Sequence, residues 1–247
     1  MRSLILAIQF LTRLPTPQLK TFDPAWLADS ARWFAPVGLL VGGVVAAGWL
    51  AGSLVDAWLA ALLALVLWVW VTGGLHLDGL ADLADALGAA HRDRNRFLAV
   101  LKDPHVGSFG VLALGLALLS KLVLLHGLAQ QPSANVAVLI LVPAWARLGA
   151  VAWSACLPPL APGSGERFAW RTHWPTFWAA VVGLAAASAW AAPVLLTAPL
   201  VLAGWGLYLY RRLGGMTGDC LGAGIEVSET ILLLLALLGP RLAVILA

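Results

Sequence analysis

Charge is what this sequence has least of. Its 247 residues include 15 Lys and Arg and 12 Asp and Glu, 11% in all, where a soluble domain carries about 25%. So few charges cannot cover a water-facing surface, which excludes an ordinary soluble domain. Cysteine is scarcer still. Cys156 and Cys220 cannot form a disulfide framework or, by themselves, a zinc site, and they read as small apolar filler. A signal-peptide cleavage site is also missing. Arg2 precedes an apolar run, Leu4–Leu11, but Thr12-Arg13-Leu14-Pro15-Thr16-Pro17 follows it in place of small residues. The run is too short to span a bilayer. It reads as a retained amphipathic or re-entrant helix at the interface.

Apolar residues are abundant, at 61%, with a mean hydropathy of +0.90. Charge-free runs such as Ala57–Leu75 and Thr176–Tyr210 match the ~20 apolar residues that one helical crossing needs. The expected fold is therefore an all-α, polytopic integral membrane bundle, a single domain over 1–247. About seven transmembrane helices (six to eight) are expected besides that amino-terminal helix, near 33–54, 57–75, 107–129, 135–157, 176–191, 194–210 and 229–246. Pro193 and Pro199 make the fifth and sixth a candidate broken pair. Twelve Lys and Arg fall on one side: Arg2, Arg13, Lys20, Arg32, Arg92, Arg94, Arg96, Lys102, Arg167, Arg171, Arg211 and Arg212. Only Arg241 falls on the other, and Lys121 and Arg147 lie inside spans. The positive-inside rule puts the twelve, with loops 72–110 and 211–229, in the cytoplasm. The pI near 9.2 thus reflects topology, and no nucleic-acid partner is expected.

The acidic residues cluster on that same side. In Gly73–Gly88, Asp78, Asp82 and Asp85 are spaced i, i+4, i+7, which puts them within about 60° of one another on a helix. Three carboxylates on one stripe repel, and a divalent cation relieves the repulsion. All-oxygen ligands suit Mg²⁺ or Mn²⁺ better than zinc, and Mg²⁺ commonly joins one or two carboxylates to substrate phosphates. The plainer reading is that Asp78 caps a helix and the others face water. Membrane-edge carboxylates, however, are functional candidates by default. His76 reads as an interfacial hydrogen-bonder or a ligand.

The arginines of His91–Arg96 read as a positive-inside loop or as anion binders. Asp103-Pro104 is expected to be an N-cap and first-turn proline. Gly107 and Gly110 would let a ligand approach the backbone, and a helix start there could receive phosphate. Arg211–Glu229 reads as a glycine-rich turn leading into an acidic helix start. Asp219 in it is either a turn residue or a metal ligand or base. Glu226 and Glu229 would stabilise the start of the last helix. Arg147 either snorkels or holds a phosphate in a polar cavity.

Four segments together carry a family resemblance: Phe10–Pro15, Gly73–Asp85 with its Asp-Gly-Leu-Ala-Asp core, Lys102-Asp103 with Gly107 and Gly110, and Gly214–Glu226 with Thr-Gly-Asp-x-x-Gly-Ala. In this order and separation they resemble the cobalamin synthases, the adenosylcobinamide-GDP ribazoletransferases, almost end to end. Pro104-His105 departs from the small residues usual there. The resemblance implies a Mg²⁺-dependent transferase of the cytoplasmic (inner) membrane with a cytoplasm-facing active site. Its expected substrates are adenosylcobinamide-GDP and α-ribazole or α-ribazole 5′-phosphate, and its products are adenosylcobalamin (or its 5′-phosphate) and GMP. The lipid bilayer is its surroundings, and a second copy of the chain is left open.

On this reading Mg²⁺ is held by Asp78, Asp82 and Asp85. The base is Asp82 or Asp219. The substrate is bound by Arg13, Arg94, Lys102, Asp103, Gly107, Arg147 and Gly218. Three rivals fit less well. An aromatic prenyltransferase would carry a second acidic stripe. A CDP-alcohol phosphotransferase would have arginine where Asp82 stands. A transporter would place its carboxylates at the midplane.

Overall fold

A computed structural model describes residues 2–19, 23–90, 93–131, 135–161, 164–169 and 172–246. Lys20, His91, Arg92, Trp170 and Arg171 of the sequence reading lie outside these, as does the side chain of Arg241. The described residues form helices and no strand. In chain order these are α1 (Arg2–Leu11), α2 (Pro24–Ser30), α3 (Phe34–Ser53), α4 (Ala57–Thr72), α5 (Leu75–Ala89), α6 (Arg94–Val100), α7 (Ser108–Ala129), α8 (Val136–Cys156), α9 (Ser164–Ala169), α10 (Trp174–Ala191), α11 (Ala198–Leu213) and α12 (Gly218–Leu246). Short 3₁₀ turns join α2 to α3 and precede α11.

Five stretches are long and apolar enough to cross a membrane: Ala25–Ser53, Ser108–Ala129, Val136–Cys156, Pro193–Leu213 and Gly218–Gly239. The bent pair α4 and α5 raises the number to six. The chain is thus a polytopic helical bundle, with five to six such stretches among the described residues by length and composition. The 176–191 segment forms α10 but is not one of the five. The 194–210 segment is not half of a broken crossing, because the backbone breaks at Ala192 (φ −151°, ψ 69°) and Pro193–Leu213 then stands as a span of its own.

Small residues let the bundle close. A Cβ at Gly38 or Gly42 of α3 would run into the α8 backbone at Ala144 and Ile140, and one at Gly52 into Ala60 of α4. This is the close packing that glycine permits between membrane helices. α8 sits at the centre, buried at nearly every position from Val138 to Ser154. α7 instead turns Leu112, Leu116 and Leu119 outward, each more than 60% exposed, as a lipid-facing surface requires. At the amino end Ser3, Ala7 and Leu11 form the buried stripe of α1. Phe10 packs edge-on against Phe168 at 5.1 Å, which docks α1 onto α9.

Candidate active site

The site begins with a sharp turn. Gly73 and Gly74 have φ of +64° and +74°, a left-handed conformation that side chains with a Cβ resist. The two together swing α5 84° off the axis of α4. α5 therefore runs nearly at right angles to α4 and is not a span by itself, carrying Asp78, Asp82 and Asp85 on its own helical periodicity. Arg13 is brought to this turn. Its N–H donates to Val71 O at 2.7 Å, and its side chain lies across Gly73 where a Cβ would strike it. Arg13 thus stands at the turn that leads into α5.

The other half of the site comes from α12. That helix begins at Gly218, eleven residues before the start expected from hydropathy, because Gly218–Glu229 is helical and mostly buried against α5. Gly79 admits it: a Cβ there would lie 3.0 Å from Asp219 O and 3.1 Å from Asp219 Cα. Asp219 sits in the first turn of α12, half-buried, with Thr217 Oγ1 donating to its Oδ2 at 3.3 Å. Gly218 is the first residue of the same turn. Asp78 is exposed and Asp82 half-buried. Burial, together with the negative charges of Asp78, Asp219 and Asp85, pushes the Asp82 carboxyl up to about 6. Carboxylates that the sequence separates by more than 130 residues thus act on one another electrostatically.

Asp85 has a different job from the one expected. Its Oδ2 accepts from Gly107 N at 2.7 Å and its Oδ1 from Gly110 N at 2.9 Å. Both oxygens therefore cap the amino terminus of α7, satisfying backbone donors that the first helical turn leaves free. Gly107 and Gly110 are small for the sake of this carboxylate, since a Cβ on either would meet it. They do not open the backbone to a substrate phosphate. Asp85 thus holds the start of α7 through both oxygens, and Gly107 packs against it.

Asp103 and Pro104 do not start a helix either. The N-cap of α7 is Gly107. Exposed Asp103 accepts from the backbone and ring nitrogens of His105, at 3.0 and 2.7 Å. Those hydrogen bonds hold its carboxyl below the ordinary carboxylate range. Lys102 is exposed beside it, and no contact in the structure brings either residue to the aspartates. Arg94, also exposed, opens α6 and lines a cavity of about 310 Å³ with Arg212.

Arg147 neither snorkels nor faces a free anion. It is fully buried and donates to Glu229 Oε1 at 2.8 Å and Pro143 O at 3.0 Å. Glu229 and Glu226 accept from Lys121 at 2.5 and 2.7 Å, and Lys121 also lies 4.5 Å over the Trp68 ring. These two glutamates are paired inside the bundle instead of stabilising a helix start. The one available signal for this network was its balance, two cations and two acids among otherwise apolar helices. His76 Nδ1, 3.5 Å from Arg147 Nη2, connects it to α5.

Among the described residues no three His, Cys, Asp or Glu groups converge closely enough to cage a metal alone. Two or three carboxylates suit a divalent cation that takes the rest of its shell from phosphate and water.

The chain matches the cobalamin-5-phosphate synthase family over residues 3–237. It is 69% identical over 243 residues to an adenosylcobinamide-GDP ribazoletransferase of Laribacter hongkongensis, covering 98% of this chain and 99% of that one. It is 54% identical to the protein of that name from Thiobacillus denitrificans, covering 96% and 95%. The identity to the Brevibacillus brevis protein of the same name is 36%, covering 95% and 97%. No solved structure matches the chain.

Proposed function

We propose that this chain, which belongs to the cobalamin-5-phosphate synthase family, is an adenosylcobinamide-GDP ribazoletransferase of the inner membrane with its site facing the cytoplasm. It joins adenosylcobinamide-GDP to α-ribazole or its 5′-phosphate and releases GMP. The observation that carries this reading is the meeting of Asp219, at the start of α12, with Asp78 and Asp82 of α5. Two motifs far apart in sequence become one group of acidic side chains there. The cytoplasmic orientation rests on the lopsided Lys and Arg count.

In the reaction an acceptor hydroxyl attacks the phosphorus on the cobinamide side of the diphosphate. A new P–O bond forms, the bridging P–O bond breaks, and GMP takes the released electron pair. Such transfer depends on positioning and charge neutralisation. Asp78 and Asp219 would hold Mg²⁺, which when bound neutralises and orients the diphosphate oxygens. Asp82, whose carboxyl is raised to about 6 by burial and by its acidic neighbours, would be the base accepting the hydroxyl proton. Arg13, at the Gly73 turn, would hold a phosphate oxygen.

The test is GMP release by purified protein in nanodiscs, with adenosylcobinamide-GDP, α-ribazole or its 5′-phosphate, and Mg²⁺. Release that needs acceptor, donor and metal together supports the reading. Hydrolysis of the donor without acceptor, or no GMP at all, would overturn it.

A further inference from the structure

The cavity of about 310 Å³ at the carboxyl end of α5 is lined by Leu87, Ala90, Asp93, Arg94, Phe97, Leu160, Arg212 and Leu213. Arg94 and Arg212 come from helices far apart in sequence and flank an apolar floor. Among the described residues neither is ion-paired. Asp93, the one acid present, is already engaged: its Oδ1 accepts from Asn95 N at 2.8 Å and Arg96 N at 3.3 Å. The cavity therefore offers two guanidinium groups with no carboxylate answering them. Guanidinium groups favour phosphate, which they can grip with paired N–H donors. Phe97 is buried in the floor, with Leu87, Leu160 and Leu213 around it, which suits a flat apolar ring.

The place is informative too. Leu87 is five residues beyond Asp82, about 7.5 Å along α5, and on the opposite side of the helix. Arg212 precedes Asp219 by one glycine-rich loop. A phosphate held here is kept apart from the group of acidic side chains, as a group that must be recognised but must not react should be.

We propose that this cavity is a subsite for a phosphorylated aromatic nucleoside, with Arg94 and Arg212 on the phosphate and the apolar floor under the ring. The inference rests on the function proposed above. One substrate carries that chemistry away from the reacting diphosphate, the acceptor through its 5′-phosphate.

The experiment compares wild type with Arg94→Gln, Arg212→Gln and the double variant in nanodiscs of neutral lipid. Both positions are exposed, so the variants are expected to fold. If the acceptor is bound, the ratio of kcat/KM for α-ribazole 5′-phosphate over α-ribazole falls about 10- to 100-fold in each single variant, the usual range for a lost charge-assisted hydrogen bond. A rise in the donor's KM with either acceptor and no change in that ratio would overturn the proposal. As a readout apart from turnover, α-ribazole 5′-phosphate should raise the Tm of wild type and not of the double variant. Unchanged ratios, KM and Tm shifts would overturn the proposal. So would an effect seen only when anionic lipid is added, which would mark a lipid-headgroup site. If wild type releases no GMP, the proposed reaction fails and the Tm shift alone decides the subsite.

Discussion

Arg147 donates to Glu229 at 2.8 Å where neither side chain meets solvent, across 82 residues of sequence. Removing one partner strands a charge in the bundle, which costs about 3–5 kcal/mol, whereas replacing both with apolar groups of similar volume is far milder. Glu229→Ala should therefore lower the Tm in detergent strongly. Arg147→Met combined with Glu229→Met should cost less than the sum of its single changes. Strict additivity in that cycle would show that the pair is not energetically coupled.

Asp85 and Asp78 should separate cleanly, although they share one stripe. Asp85→Ala removes two hydrogen bonds to the start of α7 and should cost about 1–3 kcal/mol of stability, while the Mg²⁺ concentration for half-maximal rate stays as in wild type. Asp78→Asn should leave the Tm near wild type and raise that Mg²⁺ concentration. An Asp85 variant that behaved like Asp78→Asn would put Asp85 in the metal set.

Asp219→Asn should cut kcat by about 10²-fold or more, the scale of a lost electrostatic contact in a transition state. Its fold should persist, since the partly buried carboxylate accepts only one long hydrogen bond, from Thr217. Circular dichroism and detergent gel filtration report the fold, and GMP release reports the rate. Near-normal turnover would reduce Asp219 to a turn residue.

The Asp82 carboxyl, raised to about 6 from an ordinary 3.8, makes a signed prediction. The folded state holds this proton more tightly than the unfolded state does. Ionised Asp82 therefore destabilises the metal-free fold above about pH 6, and the penalty is relieved as pH falls from there toward 4. Asp82→Asn should raise the Tm at pH 7.5 in chelator and flatten its pH dependence between 6 and 4. The same change should abolish GMP release, a stability gain bought with function. In wild type, kcat/KM should fall as pH drops through about 6, because the base must be unprotonated. A variant less stable than wild type at pH 7.5 would contradict the electrostatic account.

Much of this was legible locally. Scarce charge and long apolar runs dictate a membrane bundle, because backbone in lipid must satisfy its own hydrogen bonds and helices do so within one segment. The spacing of Asp78, Asp82 and Asp85 places them on one face before any partner is known, since 3.6 residues per turn is a property of the helix alone. The break at the paired glycines 73 and 74 was not legible, since the apolar pattern of 57–75 runs through them. The order of four motifs was enough to mark the family resemblance.

What each polar side chain does within that frame was decided only by packing. Asp85 became a cap and Asp82 a strained carboxylate because α7 brings free N–H groups to one and α12 brings another negative charge to the other. Arg147 went to Glu229, not to a phosphate, because α8 and α12 meet deep in the bundle, where a buried cation must find an anion. Hydropathy put the start of the last helix at 229 because it registers apolar length. The polar turns from Gly218 are helical because α5 covers them. A local pattern records which residues share a face, and the donors or charges opposite that face exist only once distant segments have packed.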